Sequence, residues 1–286
     1  MTIDIKHCNI VIPAKNEAEG LTLLLPQLVA MTAAEKIIVV DDGSTDGTAD
    51  ICRQHGVTLI SHPYSMGNGA AIKSGARQAN ETVTIFMDAD GQHNPADIHR
   101  LLDAIKTGYD MAIGARDSSS QASSARRLGN GIYNQLASMI TGHRIEDLTS
   151  GFRAVRTEKF REFLPLLPNG FSYPTTSTMA FFRAGYAVGY IPITANKRMG
   201  NSHINLLKDG TRFFLIIFKI GTLYSPLKIF LPISLLFFAL GSIYSVYTLA
   251  VKGHFTNMSA LLLSVSVLIF LIGLVSEQIT ALLYRD

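Results

Sequence analysis

Cysteine is nearly missing from this chain: Cys8 and Cys52 are the only two in 286 residues. They fall in a predicted strand and a predicted helix, which excludes a disulfide framework and fits packing in a reducing compartment. Charge is scarce as well, 16% of residues against 48% hydrophobic. That balance excludes an ordinary soluble protein, and the apolar excess is concentrated in the last third of the chain. The net charge is only +3, and no basic run is interleaved with aromatics, so no nucleic-acid partner is expected. No internal repeat or low-complexity tract is present. The first residues lack the charged leader, apolar core and small-residue cleavage site of a secretory signal.

The stretch around which the chain is organised is 82–95, TVTIFMDADGQHNP. A short apolar, β-branched run reads as a buried strand, and open α/β sheets bind ligands at the C-terminal ends of such strands. Asp88 and Asp90 stand at that end. At spacing i, i+2 on an extended backbone both point the same way, so a hard cation with oxygen ligands could sit beside them. Taken alone, Asp-x-Asp is as well explained by two aspartates capping a turn before the helix that Asn94 and Pro95 begin.

Strands are predicted at residues 7–12, 36–40, 57–60, 82–87, 110–115 and 187–193. Between them lie helices with apolar residues at helical spacing, for example Leu21, Leu24, Leu25 and Leu28, or Ile98, Leu101, Leu102 and Ile105. Asn16 with Glu19 reads as the N-cap of the first helix, and Pro26 should kink or restart it. This alternation predicts an α/β domain with a mainly parallel sheet covered on both faces. Three strand ends then deliver acids to one edge: Glu17, then Asp41 and Asp42, then Asp88 and Asp90. Two carboxylates 4 Å apart repel by roughly 4 kcal/mol at an effective dielectric of 20, so the cluster calls for donors or a cation. A ribose and base could supply donors, and a divalent metal could bridge to a diphosphate.

The last third is different in kind. Residues 204–225 mix Lys208, Arg212 and Lys219 with phenylalanine and isoleucine, as in a helix lying on a membrane surface. Residues 229–251 are uncharged, about 35 Å as a helix against roughly 30 Å of hydrocarbon. Residues 259–276, extended by 279–284, give a second span. The expected organisation is a catalytic domain at 1–203, an amphipathic helix at 204–226 and a two-helix transmembrane region at 227–286. Lys219, Lys228 and Arg285 against Lys252 favour a multi-pass protein of the inner or plasma membrane with its large domain cytoplasmic.

Four blocks, VIPAKNE (11–17), VDDGSTDGT (40–48), MDADGQHNP (87–95) and TSGFR (149–153), together resemble glycosyltransferase family 2. Within it they resemble the dolichol-phosphate mannosyltransferase and bacterial polyprenyl-phosphate glycosyltransferase group. The resemblance implies a GT-A fold and metal-dependent, inverting transfer from a UDP- or GDP-sugar to undecaprenyl or dolichyl phosphate, with Mg2+ or Mn2+ as cofactor. It implies that Pro13, Ala14, Glu17 and Asp42, with Asp41 nearby, surround the base and ribose. Asp88, Asp90 and Gln92 would meet the metal and diphosphate, Asp88 also facing the nucleotide. Arg116, Arg126 and Arg153 would meet phosphates, and Lys197 would close over the donor, with Arg127 and Arg198 as alternatives one position on. Where such turns commonly read Gly-x-Ser-Lys this chain has His203.

An acceptor phosphate with a second pKa of about 6 arrives ionised and needs no general base. Asp147 is therefore expected to orient Arg153 or the acceptor. Singly, Glu17, Asp42 and Asp46 could be helix caps; jointly with Asp88 and Asp90 they read as a site. Gly67 and Gly69 read as a tight turn rather than a phosphate cradle, and His93, His143 and His203 as hydrogen-bonded structural residues. A processive synthase would carry a Gln-x-x-Arg-Trp block, and tryptophan is absent. A catalytically silent nucleotide-sugar-binding membrane module, or a transferase acting on a glycan, is the alternative. The sequence leaves room for a homo-oligomer.

Overall fold

The computed structural model describes residues 4–116, 124–170, 172–194, 218, 221, 222 and 224–283; of 124–130, 132 and 283 it describes the backbone alone. Residue 197 and most of 204–226 lie outside the described residues, so the expectations for Lys197, His203 and the amphipathic helix are not addressed. The chain divides into two compact units, one formed by 1–135 and 143–210, the other by 136–142 and 211–286.

The first unit is built on a seven-stranded sheet: β1 (Cys8–Ala14), β2 (Ile37–Asp41), β3 (Thr58–Ser61), β4 (Val83–Phe86), β5 (Met111–Arg116), β6 (Arg153–Arg156) and β7 (Val188–Ile193). Their order is β3-β2-β1-β4-β6-β5-β7. Six strands run one way, and β6 alone is antiparallel to its neighbours β4 and β5. Strands β1, β2 and β4 are buried along nearly their whole length, because helices cover both faces of a parallel sheet. The chain leaves β1 for β2 on one side and returns as β4 on the other. This is a topological switch point, where such sheets open a crevice for ligands.

Helix α1 (Ala18–Val29) turns Leu21, Leu24, Leu25 and Leu28 into the core. It runs through Pro26 without interruption. A mid-helix proline costs about 3 kcal/mol, and four buried leucines at roughly 1.5–3 kcal/mol each outweigh it. The expected cap also differs. Asn16 has a positive φ of 54°, Glu17 occupies the N-cap position, and Asp46 Oδ2 accepts from Ala18 N–H at 3.2 Å. Helix α2 (Thr48–Gln54) and helix α3 (Asn68–Gln78) follow β2 and β3. After β4, Asn94 Oδ1 accepts from Ala96 N–H at 3.0 Å and Pro95 opens the turn into α4 (Ile98–Lys106), as expected. Helices α5 (Ser124–Thr141), α6 (Thr157–Glu162) and α7 (Tyr173–Arg183) complete the set.

In the second unit α8 (Pro226–Lys252) and α9 (Asn257–Leu283) pair as a hairpin. At 27 residues each they rise about 40 Å, long and apolar enough to cross a bilayer. Their contact is close where Gly241 meets Leu262 and Leu263. Ser234 Oγ donates to Ser266 O at 2.9 Å, and Ser266 Oγ returns a bond to Ser234 O at 3.1 Å. Glu277 accepts from Leu227 N–H at 3.1 Å, satisfying an amide in the first turn of α8. Lys228 Nζ donates to Ile140 O near the C-terminal end of α5.

Candidate active site

Three turns at the sheet's C-terminal edge are stitched together before any ligand is considered. Asn16 Oδ1 accepts from Thr45 N–H at 2.8 Å, and Asn16 N–H donates to Ser44 Oγ at 2.9 Å. Asp41 Oδ1 accepts from Ser44 N–H at 2.9 Å. Asp46 serves both α1 and α2, accepting from Ala18 and Thr48. It fills the capping role that acids play at helix N-termini.

Asp42 is buried, and four protein donors surround its carboxylate: Ser65 Oγ, Met66 N–H, Gly67 N–H and His62 Nδ1, each at 2.8 Å. Burial pushes its pKa up, but the bonds from His62, Met66, Ser65 and Gly67 outweigh it and hold the carboxyl below the ordinary range. A carboxylate offers about four lone-pair sites. Asp42, expected at the base and ribose, is therefore the post that fixes the β3–α3 loop, with His62 Nε2 continuing to Ser74 Oγ at 2.9 Å. Glycines 67 and 69 do not form a phosphate cradle. Gly69 and Ala70 N–H donate to Gly170 O and Asn169 O, so the start of α3 is occupied by the chain itself.

Asp88 is half-buried and Asp90 buried, on the turn that leaves β4. Gln92 N–H donates to Asp90 Oδ1 at 3.2 Å. Gly20 brings α1 against this turn, since a Cβ there would lie 2.1 Å from Ala89 O. Of the remaining donor-side candidates, Pro13 and Ala14 end β1, with Glu17 just beyond.

Across the crevice Arg116, the last residue of β5, grips Asp147. Nε reaches Oδ2 at 2.8 Å and Nη2 reaches Oδ1 at 3.0 Å, a bidentate pair. Thr149 Oγ1 accepts from Arg116 Nη2 at 2.7 Å, while Thr149 N–H donates to Asp147 Oδ1 at 3.1 Å. Asp147 is buried, which pushes its pKa up, but the hydrogen bonds and charge of Arg116 prevail and lower it. A general base poised near neutral pH is not what this environment makes. Asp147 orients Arg116, not Arg153. Both Asp88 and Asp90 also favour the charge on Arg116, which places the three in one electrostatic neighbourhood.

Arg153 corrects a second expectation. Its side chain is fully buried and faces α7, donating to Pro174 O at 3.0 Å, Ser177 Oγ at 2.8 Å and Thr178 Oγ1 at 3.1 Å, and also to Ser150 O. Tyr173 lies under the guanidinium at 5.6 Å. The group is an internal brace between β6 and α7, out of reach of a phosphate in the crevice. Side chains of Arg126 and Arg127 lie outside the described residues.

Two neighbours of the acids carried no chemistry in the sequence. His93, expected to be hydrogen-bonded, is buried, stacks on Phe152 at 5.0 Å, and its Nδ1 has no partner. Burial drives its pKa down to about 4, so the ring is neutral. Gly151 stands directly against the Asp88 carboxylate. Thr149 could have been found from its place two residues after Asp147; nothing in the sequence marks His62 as a partner of Asp42.

Among the described residues no group of three or more His, Cys, Asp or Glu side chains is gathered as a metal cage. The oxygen-only donors Asp88 and Asp90 nevertheless fit Mg2+ or Mn2+, which bind through one or two carboxylates and complete their shell with substrate phosphates and water.

The model for glycosyl transferase family 2 matches residues 9–164, more than half of the chain and including Glu17, Asp41, Asp42, Asp46, Asp88, Asp90 and Asp147. The chain belongs to glycosyl transferase family 2. A second model, the GtrB C-terminal hairpin, matches residues 225–282, the α8–α9 pair. The polyprenol monophosphomannose synthase of Mycolicibacterium smegmatis is 32% identical over 66% of this chain and 77% of its own. The Yersinia pestis undecaprenyl-phosphate 4-deoxy-4-formamido-L-arabinose transferase is 27% identical over 99% of this chain and 90% of its own. Among solved structures, glucosyl-3-phosphoglycerate synthase from Mycobacterium tuberculosis with Mn2+ and uridine-diphosphate-glucose superimposes with a TM-score of 0.59, covering 74% of this chain and 77% of that one at 20% identity. That likeness extends to the fold, which is GT-A.

Proposed function

We propose that this family 2 member transfers a sugar from a nucleotide diphospho-sugar to a polyprenyl phosphate, giving a polyprenyl-phosphate sugar for cell-envelope or glycan assembly. The observation that carries the lipid acceptor is the hairpin: a soluble acceptor would not require α8 and α9, and the Yersinia pestis relative, which spans both parts of the chain, is named for an undecaprenyl-phosphate substrate. In this reading Pro13, Ala14, Glu17 and Asp41 line the base and ribose, with Asp42 fixing the loop beside them. Asp88, Asp90 and Gln92 hold the divalent ion and the donor diphosphate. The bound Mg2+ or Mn2+ would offset negative charge on the departing nucleoside diphosphate; the Mn2+ and UDP-glucose of the glucosyl-3-phosphoglycerate synthase structure support that choice.

The acceptor supplies its own nucleophile. Its phosphate is ionised above about pH 6, so the protein needs to orient it and exclude water rather than remove a proton. Arg116 suits that task. A guanidinium has five N–H donors; Asp147 and Thr149 engage three on Nε and Nη2 and lock its plane, leaving the Nη1 edge to meet a phosphate oxygen. Arg126 and Lys197 are proposed as further phosphate contacts. The catalytic unit faces the cytoplasm, where nucleotide sugars are made, in line with the lysines and arginine flanking the spans.

The test is a donor panel. Purified protein in detergent or nanodiscs receives undecaprenyl phosphate, Mg2+ or Mn2+, and each common UDP- and GDP-sugar, with products scored by lipid extraction. One donor should give a mild-acid-labile lipid-linked sugar. Donor hydrolysis without lipid product, or binding without turnover across the panel, would refute the reading.

A further inference from the structure

Gly151 differs from the other crowded glycines in what it abuts. A Cβ at Gly20, Gly67 or Gly69 would run into backbone carbonyls, and one at Gly75 or Gly114 into core hydrocarbon. At Gly151 the nearest atoms are Asp88 Oδ2 at 2.5 Å, Oδ1 at 2.9 Å and Cγ at 3.0 Å. Among the described residues it is the glycine whose missing side chain makes room for a carboxylate. Its backbone is not in the left-handed region, so conformational freedom does not explain the residue. Space does.

The segment cannot retreat. Gly151 O accepts from Tyr173 Oη at 3.1 Å, and the preceding Ser150 O holds the Arg153 guanidinium. The following Phe152 is buried and stacked on His93. With the backbone fixed on both sides, a methyl group at 151 must be accommodated by the carboxylate, the movable end of Asp88. Ordinary contact at about 3.5 Å requires the oxygens to move by about 1 Å.

We propose that Gly151 is a positioning residue that sets where the Asp88 carboxylate stands beside Asp90, and so tunes binding of the divalent ion and nucleotide diphosphate. The inference rests on the function proposed above for those two acids. Misplacement of a ligand by about 1 Å, or loss of an outer contact, costs roughly tenfold to a hundredfold in affinity or rate.

The experiment measures Mn2+ binding by electron paramagnetic resonance, with UDP and with GDP, for wild type, Gly151→Ala and the control Gly47→Ala, whose added methyl meets nothing within 4 Å. Gly151→Ala should weaken Mn2+ binding at least tenfold with Tm close to wild type, and Gly47→Ala should leave binding unchanged. Equal affinity in folded Gly151→Ala overturns the inference. If wild type binds no Mn2+ with either nucleotide, the metal assignment of the proposed function fails. The inference is then decided by a crystal or cryo-EM structure of Gly151→Ala: a displaced Asp88 carboxylate sustains it and an unmoved one overturns it. Should Gly151→Ala not fold, Asp88→Ala in the same chain removes the obstructed atoms. Recovery of folding supports the inference, and failure to recover contradicts it.

Discussion

Asp147→Asn separates an orienting role from a proton-transfer role. The substitution keeps shape but removes the charge that Arg116 Nε and Nη2 meet at 2.8 and 3.0 Å, and it can turn an amide N–H toward the guanidinium. Breaking a buried pair costs about 3–5 kcal/mol. Arg116 retains 25% side-chain exposure, so water recovers part of this, and a loss of about 2 kcal/mol is expected. That corresponds to a fall in Tm of roughly 4–8 °C for a domain of this size. In transfer assays the expected result is about a tenfold loss, mainly as a raised KM for polyprenyl phosphate, with measurable kcat and an unchanged pH–rate profile. Asp90→Asn should instead lose turnover. If Asp147→Asn abolishes turnover as fully as Asp90→Asn, or erases the acidic limb of the profile, Asp147 is the base after all.

Acid stability follows from the same pair. The Asp147 pKa is depressed in the folded state, so its contribution is present above the unfolded value of about 3.9 and lost as pH falls through the folded one. Wild type should therefore lose Tm more steeply than Asp147→Asn below about pH 4, and parallel acid limbs would contradict the assignment. Arg153→Lys should lower Tm by several degrees, because an ammonium cannot span Ser150 O and the α7 acceptors together, while donor and acceptor KM stay within about twofold. A tenfold KM change at unchanged Tm would place Arg153 in the phosphate site.

The sequence made the strand ends legible because the apolar runs stop abruptly at acids. Cys8–Ala14, Ile37–Asp41 and Val83–Phe86 all lie within two residues of expectation. Strand β6 was not legible. Arg153–Arg156 carries an arginine at each end, and a fully buried guanidinium contradicts the hydrophobic pattern on which strand reading relies. Its acceptors on α7, Ser177 and Thr178, lie more than twenty residues further on and have no local signal. The same limit explains Asp42. Composition at 40–48 shows an acid ready for a ligand, but its donors Ser65, Met66 and Gly67 come from the next turn but one, and only the register of β1, β2 and β3 brings them together. Asp147 was placed in the site by its neighbours in sequence, whereas its partner Arg116 was set by tertiary contact.

The central claim is that Asp88 and Asp90, at the switch point, hold a divalent ion that makes transfer to a lipid phosphate feasible. With the donor from the panel and undecaprenyl phosphate in hand, lipid-linked sugar formation is followed after chelator treatment and again after Mn2+ or Mg2+ is restored. The account predicts that product formation ceases on stripping and returns on addition in wild type, but not in Asp90→Asn. Undiminished transfer by chelator-stripped wild type would contradict it.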